Sequence, residues 1–206
     1  MGTLIERVRG DEAIREASRF FMKEGRVHAA LQKISDRLNQ LNVPYAIVGG
    51  MALVAHGYFR TTEDVDILVT RESHATIKEK LEGLGYVAPF AGSKNLKDVE
   101  NNTPIEFLIT GGFPGDGKPK PVSFPDPATC AIDIDGKKYI ELSKLMELKL
   151  ASGMSNVLRS KDLGDATDLI RILKLDAAFA EKLNPYVREK YMELWKALQA
   201  AGNEPT

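Results

Sequence analysis

Residues 45–69 read YAIVGGMALVAHGYFRTTEDVDILV, and this order of apolar, glycine and acidic residues predicts two strands joined through a turn and a short helix. Residues 45–48 form an apolar run typical of a buried strand, and the pair Gly49-Gly50 ends it. A helix is expected over residues 51–56 and a second buried strand over residues 65–69. This path would bring the start of the second strand back beside the glycine turn.

Asp64 and Asp66 stand at the mouth of that second strand. Residues two apart on a strand point to the same face, so the two carboxylates are expected side by side. Like charges at short range repel each other and raise one of the two pKa values unless a cation lies between them. The pair therefore favours a shared divalent metal ion, with a solvated turn before a strand as the alternative interpretation.

The glycine pair suggests a place for phosphate. A strand that passes through Gly49-Gly50 directly into a helix presents backbone N–H groups and the positive end of a helix dipole. Glycine also lets a ligand approach the backbone closely. A tight turn with no ligand is the alternative for these two residues. Arg60, in the segment before the second strand, could steer phosphate or lie at the surface.

The apolar patterns on both sides of this segment predict further helices. Three-and-four spacing indicates a helix over residues 27–41, which should end before Pro44 because proline has no N–H for the next turn. A helix is also expected over residues 72–84, with Leu84 facing inward. A weaker helical pattern covers residues 11–21.

The second half of the chain changes character along its length. The best strand candidate there is residues 105–109. Residues 110–127 carry four glycines and five prolines and are expected to form a long loop. Residues 130–140 read as a strand pair that turns at Asp135-Gly136, and helical spacing follows to the end.

These patterns divide the chain into three parts. N-terminal helices are expected over residues 1–44, an α/β core over residues 45–140, and a helical subdomain over residues 141–206. We expect the helical subdomain to form one wall of a cleft instead of standing apart as a separate module.

Composition limits the kinds of protein that the chain can be. It has 206 residues, a net charge of −1 and a single cysteine, Cys130. No internal disulfide is possible, and a cysteine-based zinc site has too few ligands. No apolar run approaches the roughly 20 residues that span a membrane, so a cytoplasmic protein without a membrane partner is expected. The near-neutral charge disfavours a protein that coats nucleic acid.

The joint pattern over residues 45–69 resembles the nucleotidyltransferase superfamily typified by DNA polymerase beta. Within it, the chain is most similar to small members such as the minimal nucleotidyltransferases and the AbiEii-like toxins. The resemblance implies an α/β (α+β) fold with a mixed sheet flanked by helices and a C-terminal helical subdomain. It also implies that Gly49 and Gly50 contact a nucleoside triphosphate (NTP) and that Asp64 and Asp66 bind Mg²⁺ or Mn²⁺.

Many members of that superfamily take a third metal-binding carboxylate from a later strand. Glu106 is the candidate here, because it lies amid apolar residues in the predicted strand 105–109. A buried carboxylate there should have a partner. Aspartate is more usual at that position, and a glutamate on the exposed face of an edge strand is the alternative.

Two later segments, residues 145–151 and 159–165, are similar to further AbiEii-like motifs. If these motifs have the same roles here, the resemblance implies that Lys149 and Lys161 face phosphate and that Asp162 acts as a base or an orienting residue. Lys149 lies within an apolar helix face, where an unpaired ammonium is costly. An acidic first turn of a helix is the alternative account of the second segment.

The resemblance implies an enzyme that moves a nucleoside monophosphate from an NTP to an acceptor hydroxyl and releases pyrophosphate. The acceptor could be a small molecule such as an aminoglycoside, a protein side chain or the 3′ end of a tRNA. Two alternatives stay open. One is a non-catalytic member that binds a nucleotide or a partner, and the other is the toxin of a toxin–antitoxin pair, with an antitoxin as its partner.

Overall fold

The computed structural model describes residues 25–202, which form a seven-stranded mixed sheet with helices around it. The predicted weak helix over residues 11–21 lies outside this range. The strands are β1 Tyr45–Ile47, β2 Val65–Val69, β3 Tyr86–Val87, β4 Leu96–Asp98, β5 Thr103–Ile109, β6 Ala131–Ile134 and β7 Lys137–Ile140. The helices are α1 Arg26–Gln40, α2 Gly49–Ala55, α3 Arg71–Leu81, α4 Pro127–Cys130, α5 Leu142–Ser155, α6 Ser160–Ile172 and α7 Pro185–Gly202, with 3₁₀ turns at Val157–Arg159 and Ala177–Lys182.

Strand β2 lies at the centre of the sheet, whose order is β3-β4-β5-β2-β1-β7-β6. It pairs antiparallel with β1 and parallel with β5. Four of its five residues are fully buried, namely Val65, Ile67, Leu68 and Val69. A strand covered on both faces is expected to be a continuous apolar run, and Asp66 is the one interruption in it.

Helix α1 packs its apolar stripe into the same core as the sheet. Its buried residues follow the predicted helical spacing: Val27, Ala30, Leu31, Ile34 and Leu38. The helix ends at Gln40, before Pro44, as predicted. Asn42 then adopts a positive φ of 52° and turns the chain into β1.

Helix α3 ends three residues earlier than the periodicity predicted. It stops at Leu81, and Leu84 is 70% exposed instead of facing inward. The reason is backbone geometry, because Gly83 and Gly85 have φ values of 84° and 89° and turn the chain into β3.

Residues 110–126 form the predicted long loop, which is fastened at its base and at its tip. Gly111 N–H donates to the Phe124 carbonyl at 2.9 Å, and Phe124 N–H donates to the Gly112 carbonyl at 2.8 Å. Farther along, Asp116 N–H donates to the Ser155 hydroxyl at the end of α5 at 3.2 Å. The loop therefore joins the strand β5 to the helical half.

Candidate active site

The first glycine of the turn lies directly against Asp66. Val48 N–H donates to the Asp66 carbonyl at 3.0 Å, which holds the turn to the start of β2. Gly49 has a φ of +59°, and a Cβ built on it would fall 1.8 Å from Asp66 Oδ2. Only a residue without a side chain allows the carboxylate to occupy this space. The predicted approach of Asp66 to the glycine turn is thus present in the structure.

The second glycine, Gly50, also leaves no room for a side chain, because Thr62 lies against it. A Cβ on Gly50 would fall 2.6 Å from Thr62 Oγ1. The Thr62 hydroxyl donates to Asp64 Oδ1 at 2.7 Å. Sequence reasoning assigned no role to Thr62, although its spacing of two residues before Asp64 is that of a local side-chain hydrogen bond.

Glu106 is the β5 neighbour of Asp66. The parallel pairing of β2 and β5 sets Asp66 opposite Glu106 in register. Opposite residues of paired strands project from the same face, and both residues line one cleft. Glu106 itself is exposed, which suits a group that meets a ligand in the cleft.

Burial, followed by the nearby charges of Asp64 and Glu106, raises the pKa of Asp66 to about 7. The positive charges of Lys149 and Arg60 act in the opposite direction. Asp66 is therefore the carboxyl group whose ionisation costs most in this region, and a cation placed beside it would favour its charged form.

Lys149 is held by two carboxylates of helix α6. Its ammonium donates to Asp162 Oδ1 and to Asp165 Oδ2, both at 2.7 Å. Asp162 also accepts from the Ser152 hydroxyl at 2.6 Å. Burial acts against ionisation of Asp162, but the Lys149 charge and these bonds hold its pKa below the ordinary value. The Lys149 ammonium, predicted to face phosphate, thus has two carboxylate partners within the protein, and one of its three hydrogens is left for a ligand.

Arg60 joins the same network from the segment before β2. Its Nη2 donates to Asp165 Oδ2 at 3.2 Å. Its Nε lies 3.1 Å from Asp165 Oδ1, an ion-pair distance at which the hydrogen-bond angle is not met. Asp165 therefore links Arg60 to Lys149. Lys161 lies apart from this network, exposed at the start of α6.

Both halves of the chain line a cleft of about 330 Å³. From the predicted site it contains Gly49, Asp66, Glu106, Lys149 and Asp162, whereas its lining does not include Gly50, Asp64, Arg60 or Lys161. Sequence reasoning missed several lining residues, among them Lys94, Phe113, Phe124 and Arg159. Arg159 begins the motif-like segment 159–165 but was given no role, and the other three reach the cleft from segments that carry no motif.

The carboxylates are chemically suitable ligands for Mg²⁺ or Mn²⁺, because these hard divalent cations prefer oxygen ligands. Within residues 25–202, however, no three His, Cys, Asp or Glu side chains are already drawn together as a metal site. The fit therefore rests on the crowding of carboxylates around Asp66, which Lys149 and Arg60 offset in part and which an added cation would offset further.

A larger cavity of about 630 Å³ lies elsewhere, between α1, α2 and the β6–β7 hairpin. Its lining is mainly apolar and includes none of the predicted site residues. The smaller cleft is the candidate active site because it gathers the titratable groups. Among the described helices, none combines the length and the apolar character that crossing a membrane requires.

Comparison with known proteins gives one family match. The family model of aminoglycoside-2″-adenylyltransferases matches residues 30–103, a range that includes the glycine turn and both aspartates but ends before Glu106. Among curated protein sequences, none matches the chain.

Solved structures that are similar to this one include two nucleotidyltransferase-type proteins. ANT(2″)-Ia in complex with adenylyl-2″-tobramycin has a TM-score of 0.51 and 13% identity, covering 84% of this chain and 97% of that chain. An antigenic nucleotidyltransferase-like protein from Paracoccidioides brasiliensis has a TM-score of 0.44 and 16% identity, covering 69% of this chain and 74% of that chain. The first likeness confirms the predicted mixed α/β fold.

Proposed function

We propose that this chain is a nucleotidyltransferase that transfers AMP from ATP to a hydroxyl group of a small molecule, a proposal supported by its fold and by the family match over residues 30–103. The observation that carries the proposal is the position of Asp66, against Gly49 on one side and beside Glu106 on the other. The contact brings together the turn assigned to phosphate and the carboxylates assigned to metal.

Asp64, Asp66 and Glu106 are the residues that would hold Mg²⁺ or Mn²⁺. When bound, the cation would neutralise charge on the phosphates during transfer. The elevated pKa of Asp66 supports this role, because a site that crowds carboxylates without a cation is costly. Thr62 keeps one oxygen of Asp64 occupied and so orients the carboxylate.

The remaining residues are assigned to the phosphates and to the proton. The backbone at Gly49 and Gly50 would receive the triphosphate, and Lys149 would offer its one remaining hydrogen. Arg60 would act through Asp165, which fixes the position of Lys149. Lys161 stays a prediction from the motif, since it is exposed and outside the cleft lining.

In the transfer step the acceptor oxygen attacks the α-phosphorus, the bond from that phosphorus to the β-phosphate oxygen breaks, and pyrophosphate leaves. The acceptor proton passes to a carboxylate. Glu106 is proposed as the base because it is exposed in the cleft beside Asp66. Asp162 is the orienting residue, because both of its oxygens are already engaged, one by Lys149 and the other by Ser152.

A small-molecule acceptor, such as an aminoglycoside, is favoured over a tRNA end. The family match is to adenylyltransferases of aminoglycosides, and a cleft of about 330 Å³ is at the small-ligand end of binding sites. The net charge of −1 gives little attraction for a polynucleotide. The AbiEii-like subgroup and an antitoxin partner stay predictions from the sequence.

The test is incubation with each α-labelled NTP, Mg²⁺ or Mn²⁺, and a panel of acceptors that includes aminoglycosides and tRNA. We expect labelled acceptor and stoichiometric pyrophosphate with ATP and an amino sugar, and neither with the Asp66→Asn variant. If the parent protein releases no more pyrophosphate than Asp66→Asn with every pair of substrates, the proposal is wrong.

A further inference from the structure

The positive charges that line the cleft fall into two kinds. Three basic side chains line it: Lys94, Lys149 and Arg159. Lys149 is engaged by two carboxylates at 2.7 Å, so most of its charge is already offset. Across residues 25–202, by contrast, neither Lys94 nor Arg159 forms a side-chain hydrogen bond or ion pair, although the charge of Arg159 acts on Asp162 and lowers its pKa. These two cations are available to a ligand.

Their backbones are fixed although their side chains are exposed. The Lys94 carbonyl lies 2.7 Å from Nε2 of His74, and Asn95 Oδ1 accepts from Phe107 N–H at 3.0 Å. Arg159 N–H donates to the Asn156 carbonyl at 2.8 Å, within the 3₁₀ turn Val157–Arg159. Both side chains therefore start from defined positions and keep their freedom to close on a ligand.

The two cations come from different halves of the molecule. Lys94 precedes β4 in the α/β half, whereas Arg159 lies between α5 and α6 in the helical half. Both contribute to the cleft that also contains Gly49 and Asp66. A ligand that meets both would be held across the two halves.

We infer that Lys94 and Arg159 form a two-sided clamp for the phosphate groups of the nucleotide, an inference that rests on the proposed function. Phosphate is the matching chemistry, because guanidinium binds it through two parallel N–H bonds and an ammonium binds it as a point charge. The cleft already pairs Lys149 with Asp162, so a polyanion needs cations that are not yet neutralised.

The experiment measures binding of Mg²⁺·ATP and of inorganic tripolyphosphate by calorimetry, for the parent and for Lys94→Ala, Arg159→Ala and the double variant. Matched controls are Lys196→Ala and Arg71→Ala, which remove exposed basic residues that lie outside the cleft lining. Thermal melting checks that every variant is folded, which is expected because all four side chains are exposed.

We expect each clamp variant to weaken both ligands by about tenfold or more, the usual scale for one charged hydrogen-bond partner. Arg159→Lys should recover part of the loss, since it keeps the charge but not the paired bonds. The controls should match the parent.

Two other outcomes separate the clamp from the proposed function. If the parent binds and transfers the nucleotide but Lys94→Ala and Arg159→Ala bind like the controls, the clamp is wrong and the function stands. If the parent binds neither ATP nor tripolyphosphate, the proposed function fails and the clamp with it.

Discussion

The Oδ2 atom of Asp66 occupies the place where a side chain on Gly49 would begin, 1.8 Å from the position of a Cβ. The glycine is therefore required for the acidic residue to lie in the cleft, whatever else the turn binds. The first prediction follows from this contact.

Gly49→Ala should displace the Asp66 carboxylate and strain a backbone with a φ of +59°, so we expect nucleotide binding and transfer to be lost. The matched control is Gly83→Ala, because Gly83 also has a positive φ, 84°, but a Cβ there would meet nothing within 4 Å. That variant should lose only about 1–2 kcal/mol of stability and keep its activity. Equal activity in both variants would show that the Asp66 contact is dispensable.

The raised pKa of Asp66 makes stability depend on pH. Because the folded pKa is about 7 and the ordinary value is 3.8, the folded state binds more protons between these limits. The contribution of Asp66 to stability should therefore be complete below about pH 4 and be lost as the pH rises through 7. The Asp66→Asn variant has no carboxyl group to ionise at this position and should keep this contribution. At pH 8 its free energy of unfolding should exceed that of the parent by up to about 4 kcal/mol, since each pKa unit corresponds to roughly 1.4 kcal/mol.

Thermal melting of the two proteins at pH 4.5 and pH 8 in the presence of EDTA checks this. The difference in stability should be large at pH 8 and small at pH 4.5. A constant difference at both pH values would mean that Asp66 titrates normally in the fold.

Nucleotide affinity should depend strongly on Asp64 and Asp66 and less on Thr62, which orients Asp64. In Mg²⁺, we expect Asp64→Asn and Asp66→Asn to weaken NTP binding sharply while the apo proteins stay folded, because relieving like-charge repulsion does not destabilise the fold. Thr62→Val keeps the shape of the side chain and removes its hydrogen bond to Asp64, so a smaller loss, about 1 kcal/mol, is expected.

Calorimetric titration with and without EDTA measures these affinities. The Asp variants should lose the dependence on Mg²⁺, and Thr62→Val should keep it. If the Asp variants bind Mg²⁺·NTP as well as the parent, the two aspartates are structural.

Lys149→Met should alter both stability and binding. The methionine keeps much of the aliphatic stem, but Asp162 and Asp165 lose their shared ammonium. Asp165 keeps its ion pair with Arg60, whereas Asp162 loses its ion pair with Lys149, and we expect a loss of about 3 kcal/mol of stability. Triphosphate binding should weaken by about 1–3 kcal/mol in addition.

The double variant Lys149→Met/Asp162→Asn separates the two effects. It should recover most of the stability, because no uncompensated carboxylate remains, but not the nucleotide affinity. Urea unfolding and calorimetry measure the two quantities. Recovery of both together would show that Lys149 serves the fold alone.

Local patterns were enough to predict most of the elements that carry the site. Helical spacing and Pro44 fixed α1, and the apolar run of residues 65–69 matches β2 residue for residue. The prediction fails where glycines turn the chain, as at Leu84. The positive φ of Gly83 and of Gly85 ends the helix early, but the spacing of apolar residues that predicted the helix continues to Leu84.

The sequence by itself determined the chemistry of the core of the site. Gly49-Gly50 and Asp64-X-Asp66 lie within 18 consecutive residues, and β1 and β2, whose antiparallel pairing joins them, are neighbouring strands along the chain. Alternating side-chain direction and the need of glycine at a crowded turn are local properties, so the chain's own order reveals them.

Tertiary structure decided which charges are available in the cleft. Lys149 is offset by Asp162 and Asp165 because α5 and α6 pack side by side, whereas Lys94 and Arg159 reach the same cleft without partners among the described residues. No local pattern distinguishes these lysines and arginines. The free energy of a charge depends on which groups the fold places within a few ångströms of it, and here those groups lie on different elements of the chain.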